Sequence, residues 1–428
     1  MKAKSLPFYY GWVVFAVTFL IYMFMYGLRY SVGVFFTPVQ QEFGWSTAVT
    51  ASAVTVFFWM YAAAAPLVGG LAERIGIRRT VLIGGLLLGG GGALVSFVRE
   101  LWHLYLFWGV IAAVGSAALY VVPTMALSRF FLKKRGRAVG WSSVGVSAGQ
   151  AMLIPVVAVL IQEHGWRLAI RWFGLVVVAV TSVVGYLFLR EDPGSMGLSV
   201  DGEEPEEESE APDHGNTPSQ EPDWGPREAM GTGSFRLIAL SYFFAVGGII
   251  SILTFAVPRM ISVGVDLVKA GGAFGIIGAM SAAGSFLFGI FSDRLGRRAT
   301  IAATTAGMAL SFFAASALPP DLTILYAWAV LYGLTYGGCP EQYAAIVADY
   351  FGNRYGATLF GFLTLAGGLG GGLFPLIGGW LVDLSGAYSW TLLFLACGMC
   401  VATLMILATK PPGTKQEAVT RYRYEKKS

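Results

Sequence analysis

Long apolar segments dominate this sequence and limit the folds that it can adopt. A helix that crosses the hydrocarbon core of a bilayer needs about 20 apolar residues, and the 428 residues contain twelve such runs. They cover residues 10–36, 47–72, 80–98, 103–129, 138–162, 168–189, 236–262, 270–292, 299–318, 322–348, 356–382 and 388–409. Only 13% of the residues are charged, against about 25% in soluble domains. We therefore predict an all-α polytopic membrane protein with twelve transmembrane helices, and a soluble enzyme or a nucleic-acid-binding protein is excluded.

Basic residues are distributed unevenly between the two sets of loops. If the N-terminus is cytoplasmic, the cytoplasmic segments hold 23 of the 29 Lys and Arg residues and the external loops hold five. Basic loops stay on the cytoplasmic side of a membrane. We therefore expect a multi-pass protein of the cell membrane, embedded in the lipid bilayer as a monomer, with both termini in the cytoplasm. The remaining basic residue, Arg29, lies inside the first span.

The composition changes sharply between the sixth and seventh spans. Residues 191–228 hold 13 of the 25 acidic residues and a single basic residue. Low hydrophobicity with high net charge predicts disorder. The chain is therefore divided into an N-terminal six-helix bundle, an acidic disordered cytoplasmic linker, a C-terminal six-helix bundle and a basic cytoplasmic tail. These parts cover residues 1–190, 191–234, 235–410 and 411–428.

A short charged motif occurs once in each half of the chain. The segment GGLAERIGIRR begins at Gly69, after the second span, and GIFSDRLGRR begins at Gly289, after the eighth. Two copies after corresponding spans indicate a duplicated six-helix unit, an arrangement found in many secondary transporters. Both segments resemble the loop motif of the major facilitator superfamily. The resemblance implies two pseudo-symmetric six-helix bundles that rock about a central binding site.

The charged residues of the two motifs are candidates for a gate. In each motif an acidic residue ends a helix and is followed at once by arginines, so we expect ion pairs and bonds to helix ends across the two halves. Such contacts hold the cytoplasmic side shut and break when that side opens. The candidate gating residues are Glu73, Arg74, Arg78, Asp293, Arg294 and Arg297.

Two further segments are similar to the monocarboxylate transporter family. One is YYGWVV, which begins at Tyr9, and the other is RFFLKKRGRAVG, which begins at Arg129. The resemblance implies proton-linked transport of small organic anions such as lactate or pyruvate by alternating access. Many members carry an arginine in the eighth helix that binds the substrate carboxylate. In this sequence Ser285 occupies that position, which makes it a candidate substrate-binding residue, and Ser281 is the nearest polar residue one turn earlier.

Arg29 lies past the midpoint of the first span. A charged group in the hydrocarbon region is costly and needs a reason to be there. Tyr22, Tyr26 and Gly33 follow helical spacing around Arg29 and form one polar and aromatic stripe with it. Because a guanidinium group stays charged and can bind a carboxylate through two parallel hydrogen bonds, we predict that Arg29 binds the substrate carboxylate beside Tyr26. The alternative is a structural arginine bonded to helix carbonyls.

Glu341 is the other ionisable residue that lies clearly within a span. It follows Pro340 in the inner half of the tenth span, and we predict that it carries the coupling proton. A regular helix would place it opposite Tyr332 and Tyr336, which counts against this role unless Pro340 disturbs the helix. We predict that the hydroxyls of Tyr120, Tyr332 and Tyr336 orient a hydroxy- or keto-acid. The alternative role of these rings is packing.

No motif for enzymatic or ATP-driven chemistry occurs in the sequence. It has no Walker segment, and its three histidines form no metal-binding cluster, so we expect no cofactor and no metal. The expected partners are a small organic anion and a proton. One alternative is an anion exchanger of the oxalate–formate type, although the eleventh predicted span has no lysine to balance a dicarboxylate. The other is a transporter-like receptor that binds a metabolite and signals through the linker or the tail.

Overall fold

Among the residues that the structure describes, twelve helices are long and apolar enough to cross a membrane. The computed structural model describes residues 9–132, 135–202, 224–317, 321–352 and 355–412. The helices are α1 (Gly11–Phe43), α2 (Thr47–Ile75), α3 (Ile77–Phe97), α4 (Leu101–Phe130), α5 (Arg137–His164), α6 (Trp166–Phe188), α7 (Gly233–Ser262), α8 (Leu267–Leu295), α9 (Arg297–Ala317), α10 (Leu322–Phe351), α11 (Thr358–Ser385) and α12 (Tyr388–Ala408). The predicted fold class is confirmed. The largest shift of a single boundary is at the end of α1, which continues seven residues beyond the predicted span.

The internal glycine of the repeated motif forms a sharp turn between two helices. Gly76 separates α2 from α3 with φ of 89°, and Gly296 separates α8 from α9 with φ of 85°. A side chain rarely adopts this backbone conformation, whereas glycine does so without steric cost. Each motif therefore joins two antiparallel helices through a single residue.

The two bundles contact each other most closely where α2 packs against α11. Gly379 allows this approach, because a Cβ atom at that position would lie 2.9 Å from the Cα atom of Ala48. Further along α2, Thr55 Oγ1 donates a hydrogen bond of 2.7 Å to the carbonyl of Gly372 in α11. Small residues let transmembrane helices approach closely, so the glycine-rich sequence of α11 is a packing surface.

Contacts between the bundles are concentrated toward one side of the membrane domain. We call the side where α1 begins and α12 ends the terminal face, and the other side the opposite face. On α1, Gly33 lies against the carbonyl of Leu253, and the rings of Phe36 and Phe255 are 5.6 Å apart. At mid-depth, Ser147 Oγ lies 2.8 Å from Ser281 Oγ. The bundles are thus closed at the opposite face, and the cavity between them opens toward the terminal face.

Both flanks of the predicted disordered linker are ordered. Beside the first bundle, the carboxylate of Glu191 accepts a hydrogen bond of 3.0 Å from the backbone N–H of Ile77. Beside the second, Trp224 is buried with its ring 6.3 Å from that of Phe351, and a short helix spans Pro226–Gly231. The prediction of disorder is corrected for residues 191–202 and 224–234, where acidic and aromatic side chains anchor the chain. The remaining linker residues, 203–223, and tail residues 413–428 lie outside the described residues.

Candidate functional site

Arg29 is placed by an interruption in α1. The helix consists of the segments Gly11–Tyr30 and Val32–Phe43. At the break, Ser31 Oγ donates a hydrogen bond of 2.7 Å to the carbonyl of Leu28. Arg29 is 7% exposed. It lines a narrow cavity between the bundles, with Phe58 of α2 and Leu253 of α7. The structure therefore places the guanidinium group between the two halves of the protein, away from lipid.

Five aromatic rings surround the guanidinium group of Arg29, and we call them the aromatic cage. The distances from Arg29 Cζ to the ring centroids are 4.4 Å for Tyr61, 4.6 Å for Phe58, 5.4 Å for Tyr26, 5.6 Å for Phe57 and 5.7 Å for Tyr30. The face of an aromatic ring attracts a cation, by about 0.5–2 kcal/mol per ring. The cage therefore stabilises the buried charge without neutralising it.

Arg29 has no acidic partner among the described residues. None of their ion pairs includes it, and no backbone carbonyl among them accepts a hydrogen bond from it. Its Nε atom is buried without a hydrogen-bond partner. Arg167 shows the contrast, because its guanidinium group forms hydrogen bonds of 3.0 and 2.7 Å with Glu42 and also bonds the carbonyls of Ser96 and Val98. The positive charge of Arg29 thus remains available to an anion.

Glu341 lies between the two bundles, at an interruption of α10. The two segments of α10 are Leu322–Gly337 and Pro340–Phe351, and Glu341 lies in the first turn of the second segment. Its side chain is exposed and interacts electrostatically with Tyr120 of the first bundle and Tyr242 of the second. The break thus removes the objection based on a regular helix, and the helix N-terminus favours a negative charge at this position.

Ser285 stabilises the break in α10. Its hydroxyl donates a hydrogen bond of 2.6 Å to the carbonyl of Gly337, the last residue of the first segment of α10. Carbonyl groups at the end of a helix lack intrahelical partners, so this bond satisfies one of them. This bond gives Ser285 a structural role between α8 and α10, and its contact with substrate stays a prediction.

The predicted tyrosines differ in their access to the cavity. Tyr120 is half-buried and stacks on Tyr22 with ring centroids 5.9 Å apart. The hydroxyl of Tyr336 accepts a hydrogen bond of 3.0 Å from Gln150 Nε2 across the bundle interface. Tyr332 is fully buried, between the rings of Trp328 and Tyr336 at 5.7 and 5.8 Å. Its ring packs inside the second bundle, which favours the alternative role in packing, and contact with substrate stays a prediction.

The predicted gating residues do not pair across the halves in this structure. Arg78 Nε donates a hydrogen bond of 2.8 Å to the carbonyl of Tyr186 in its own bundle. Arg297 pairs with Asp293 at 3.0 Å and with Asp349 at 3.6 Å, again within one bundle. The described residues show no such pairing in this conformation, in which the terminal face is open, and the gating role stays a prediction. The exposed members of the set are Glu73, Arg74, Asp293 and Arg294.

Several residues of the site were not identified from the sequence. Phe57, Phe58 and Tyr61 follow each other at helical spacing on α2, and this was the available signal. The same spacing is usual for packing residues, so it did not single them out. Gln150 gave a weaker signal, since a lone polar residue in an apolar span has many roles. Its Oε1 atom is buried without a hydrogen-bond partner.

Comparison with known proteins agrees with the fold and the motifs. The family model described as "Major Facilitator Superfamily" matches residues 18–289 and 278–423. The chain therefore belongs to the major facilitator superfamily. A bacterial homolog to the human lysosomal transporter Spinster, in an inward-facing and occupied conformation, has a TM-score of 0.75 at 18% identity, covering 95% of this chain and 97% of that one. This likeness confirms the fold.

Within the superfamily, the predicted similarity to monocarboxylate transporters is confirmed. Monocarboxylate transporter 12 of Rattus norvegicus is 25% identical over 414 residues, which cover 93% of this chain and 84% of that protein. Monocarboxylate transporter 11 of Homo sapiens is 33% identical over 185 residues, which cover 43% of this chain and 39% of that protein. The chain is thus a transporter-family protein related to monocarboxylate transporters.

Proposed function

We propose that this protein transports small monocarboxylates, such as lactate or pyruvate, together with a proton by alternating access. The observation that carries the proposal is Arg29, a buried cation at the interface of the two bundles with no acidic partner in the part of the chain that the structure describes. A carboxylate has the charge and the two acceptor oxygens that a guanidinium group binds best. The relatives named monocarboxylate transporters support the same substrate class.

Charge balance in the cavity explains the coupling to a proton. With Glu341 ionised, the charges of Arg29 and Glu341 cancel in the empty cavity. When one carboxylate and one proton bind, the sum of charges is again zero. Binding of either alone leaves an unbalanced charge, which is costly in a site of low dielectric constant. The bundles therefore rock most readily with both ligands bound or with neither.

The charge balance also favours a monocarboxylate over a dicarboxylate. A dicarboxylate bound at Arg29 would bring a second negative charge, and two protons or another cation would be needed to offset it. Arg29 is the cation that the described part of the cavity supplies. An exchanger of the oxalate–formate type is therefore the less favoured alternative, and the receptor alternative is tested by the presence or absence of flux.

We also propose the orientation in the membrane. The excess of basic residues in the segments on the terminal face indicates that this face is cytoplasmic. The structure would then correspond to a transporter whose substrate site is open to the cytoplasm. We propose the cell membrane as its location and the monomer as its functional form, because the cavity is enclosed by the two bundles of a single chain.

Transport in proteoliposomes tests the proposal. We expect the wild-type protein to accumulate labelled lactate when the outside is acidified and to catalyse counterflow without a pH gradient. In Glu341→Gln, counterflow should persist while uptake driven by the proton gradient is lost, and in Arg29→Gln both should be lost. Glu163→Gln removes an exposed carboxylate at the end of α5, beside His164, and serves as the control that keeps both activities. Uphill accumulation by Glu341→Gln, or bound lactate with zero flux in the wild type, would contradict the proposal.

A further inference from the structure

A carboxylate from the second bundle caps a helix of the first bundle at the opposite face. Asp383 of α11 accepts a hydrogen bond of 2.7 Å from the backbone N–H of Thr47 and one of 2.8 Å from that of Ala48. These residues begin α2, and the first N–H groups of a helix have no partner within the helix. The two groups are therefore satisfied across the bundle interface.

The contact of Asp383 with α2 lies where the two bundles must separate for the opposite face to open. Below it, Gly379 packs on Ala48 and the buried hydroxyl of Thr55 bonds the carbonyl of Gly372. Asp383 itself is exposed, so water and protons on the opposite face reach it while Thr55 remains covered. Rocking of the bundles breaks all of these contacts together.

Few charged groups surround the carboxylate of Asp383. The beginning of α2 contributes Ser46, Thr47 and Ala48, which do not ionise near neutral pH. Tyr388 of α12 lies within electrostatic range, and Arg259 of α7 lies within range of Tyr388. On α1, Glu42 is bound by Arg167. The charge on Asp383 is therefore stabilised chiefly by the N-terminus of α2.

We propose that Asp383 is a proton-binding latch of the opposite face, separate from the coupling site at Glu341. The ionised carboxylate holds α2 against α11 through two N–H bonds and the helix dipole. Protonation removes the negative charge and converts one acceptor oxygen into a donor, so both interactions weaken. Acid on the opposite face thus favours opening toward that face, where substrate and proton would enter under the proposed function.

Distances between spin labels on the two bundles test the latch. Labels at Arg99→Cys and Lys269→Cys, both exposed near the opposite face, are placed in a background where the three native cysteines are replaced by alanine. Acidification from about pH 7.5 to about pH 3, below the usual aspartate pKa of about 3.9, should raise the population with the longer distance in the wild-type background. Asp383→Asn removes the charge and keeps one acceptor oxygen, so it should show that population already at neutral pH, increased by a factor of about two to five, the size expected from the loss of a charge at a helix N-terminus.

Two control variants separate the latch from other effects. Thr55→Val removes a bond between the same helices without changing charge, so it should raise the open population and keep the response to pH. Glu341→Gln should also keep the response to pH, because the latch is independent of the coupling site. The response of the latch should therefore be the same even if the protein does not transport monocarboxylates with a proton. The proposal is overturned if Asp383→Asn retains the wild-type response to acid, or if its distance distribution equals that of the wild type at neutral pH.

Discussion

Removing the charge of Arg29 should stabilise the protein while abolishing substrate binding. Burying an ion without a partner costs several kcal/mol in real proteins. The five rings of the aromatic cage offset part of this cost at about 0.5–2 kcal/mol each, and less in sum because they share one cation. In Arg29→Met the flexible thioether fills the space among the rings with favourable sulfur–aromatic contacts. We expect a net gain of about 1–3 kcal/mol, of the size seen when buried ionic groups are replaced by apolar ones.

The matched control for Arg29 is Arg167. Its guanidinium group bonds Glu42, the carbonyl of Ser96 at 2.6 Å and that of Val98 at 2.9 Å. Arg167→Met leaves these acceptors without their donor, so the free energy of unfolding should fall by about 1–3 kcal/mol, discounted for partial exposure of the pair. The two arginine-to-methionine substitutions should therefore change stability in opposite directions.

Thermal unfolding of the purified protein, followed by tryptophan fluorescence, measures both effects. At about 2 °C per kcal/mol for a chain of this size, Arg29→Met should raise Tm by about 2–6 °C and Arg167→Met should lower it by a similar amount. Lactate at about 100 times its Kd should stabilise the wild type by about 2.7 kcal/mol, and it should not shift Tm in Arg29→Met. A fall in Tm for Arg29→Met, or a ligand shift that survives in it, would refute the reasoning that Arg29 is a free cation kept for an anion.

Two further predictions concern hydroxyl groups near the cavity. Tyr332→Phe removes a buried hydroxyl that has no hydrogen-bond partner among the described residues, so transport should be unchanged and Tm should be equal or slightly higher. Tyr336→Phe breaks the bond with Gln150 and should lower Tm. An equal loss of Tm in both variants would contradict this reasoning. Ser285→Ala leaves the carbonyl of Gly337 without its donor and should lower the free energy of unfolding by about 1–2 kcal/mol, measured by thermal unfolding. The ratio of lactate to pyruvate uptake should stay the same in this variant. A changed ratio would indicate that Ser285 contacts the substrate.

The sequence predicts the twelve spans well because each obeys a simple length requirement. The hydrocarbon thickness demands about 20 apolar residues, and turn residues such as Gly76 and Gly296 separate the runs. The interruption at Ser31 was not predicted, and the one around Gly338 was left open as a possible effect of Pro340, since neither breaks the run of apolar residues. Whether a helix bends at such a point depends on what satisfies the freed backbone groups, for example Ser285 at Gly337, and such a partner lies about 50 residues away in the chain.

Candidate residues of the site could be identified from the sequence only where a side chain is costly in lipid. Arg29 and Glu341 were found because an ionisable group in a span needs a reason. The aromatic cage was not identified, since phenylalanine and tyrosine are common in apolar helices and placing them in a span carries no comparable free-energy cost. Tyr332 was assigned to the site for the same reason that Tyr61 was missed, because helical spacing does not tell which of two faces meets the cavity.

The charges of Arg29 and Asp383 are stabilised in different ways. At the opposite face, Asp383 meets the orphan N–H groups of α2, so its charge is used to hold the bundles together. At the centre, Arg29 lies among aromatic rings and has no acidic partner in the described part of the chain, so its charge remains available to an anion. If Arg29 had a carboxylate partner, substrate would have to displace a buried ion pair whose rupture costs about 3–5 kcal/mol. Aromatic rings hold the guanidinium group in place, and an incoming anion does not have to break an ion pair to reach it. This arrangement suits a site that must bind and release an anion in every cycle.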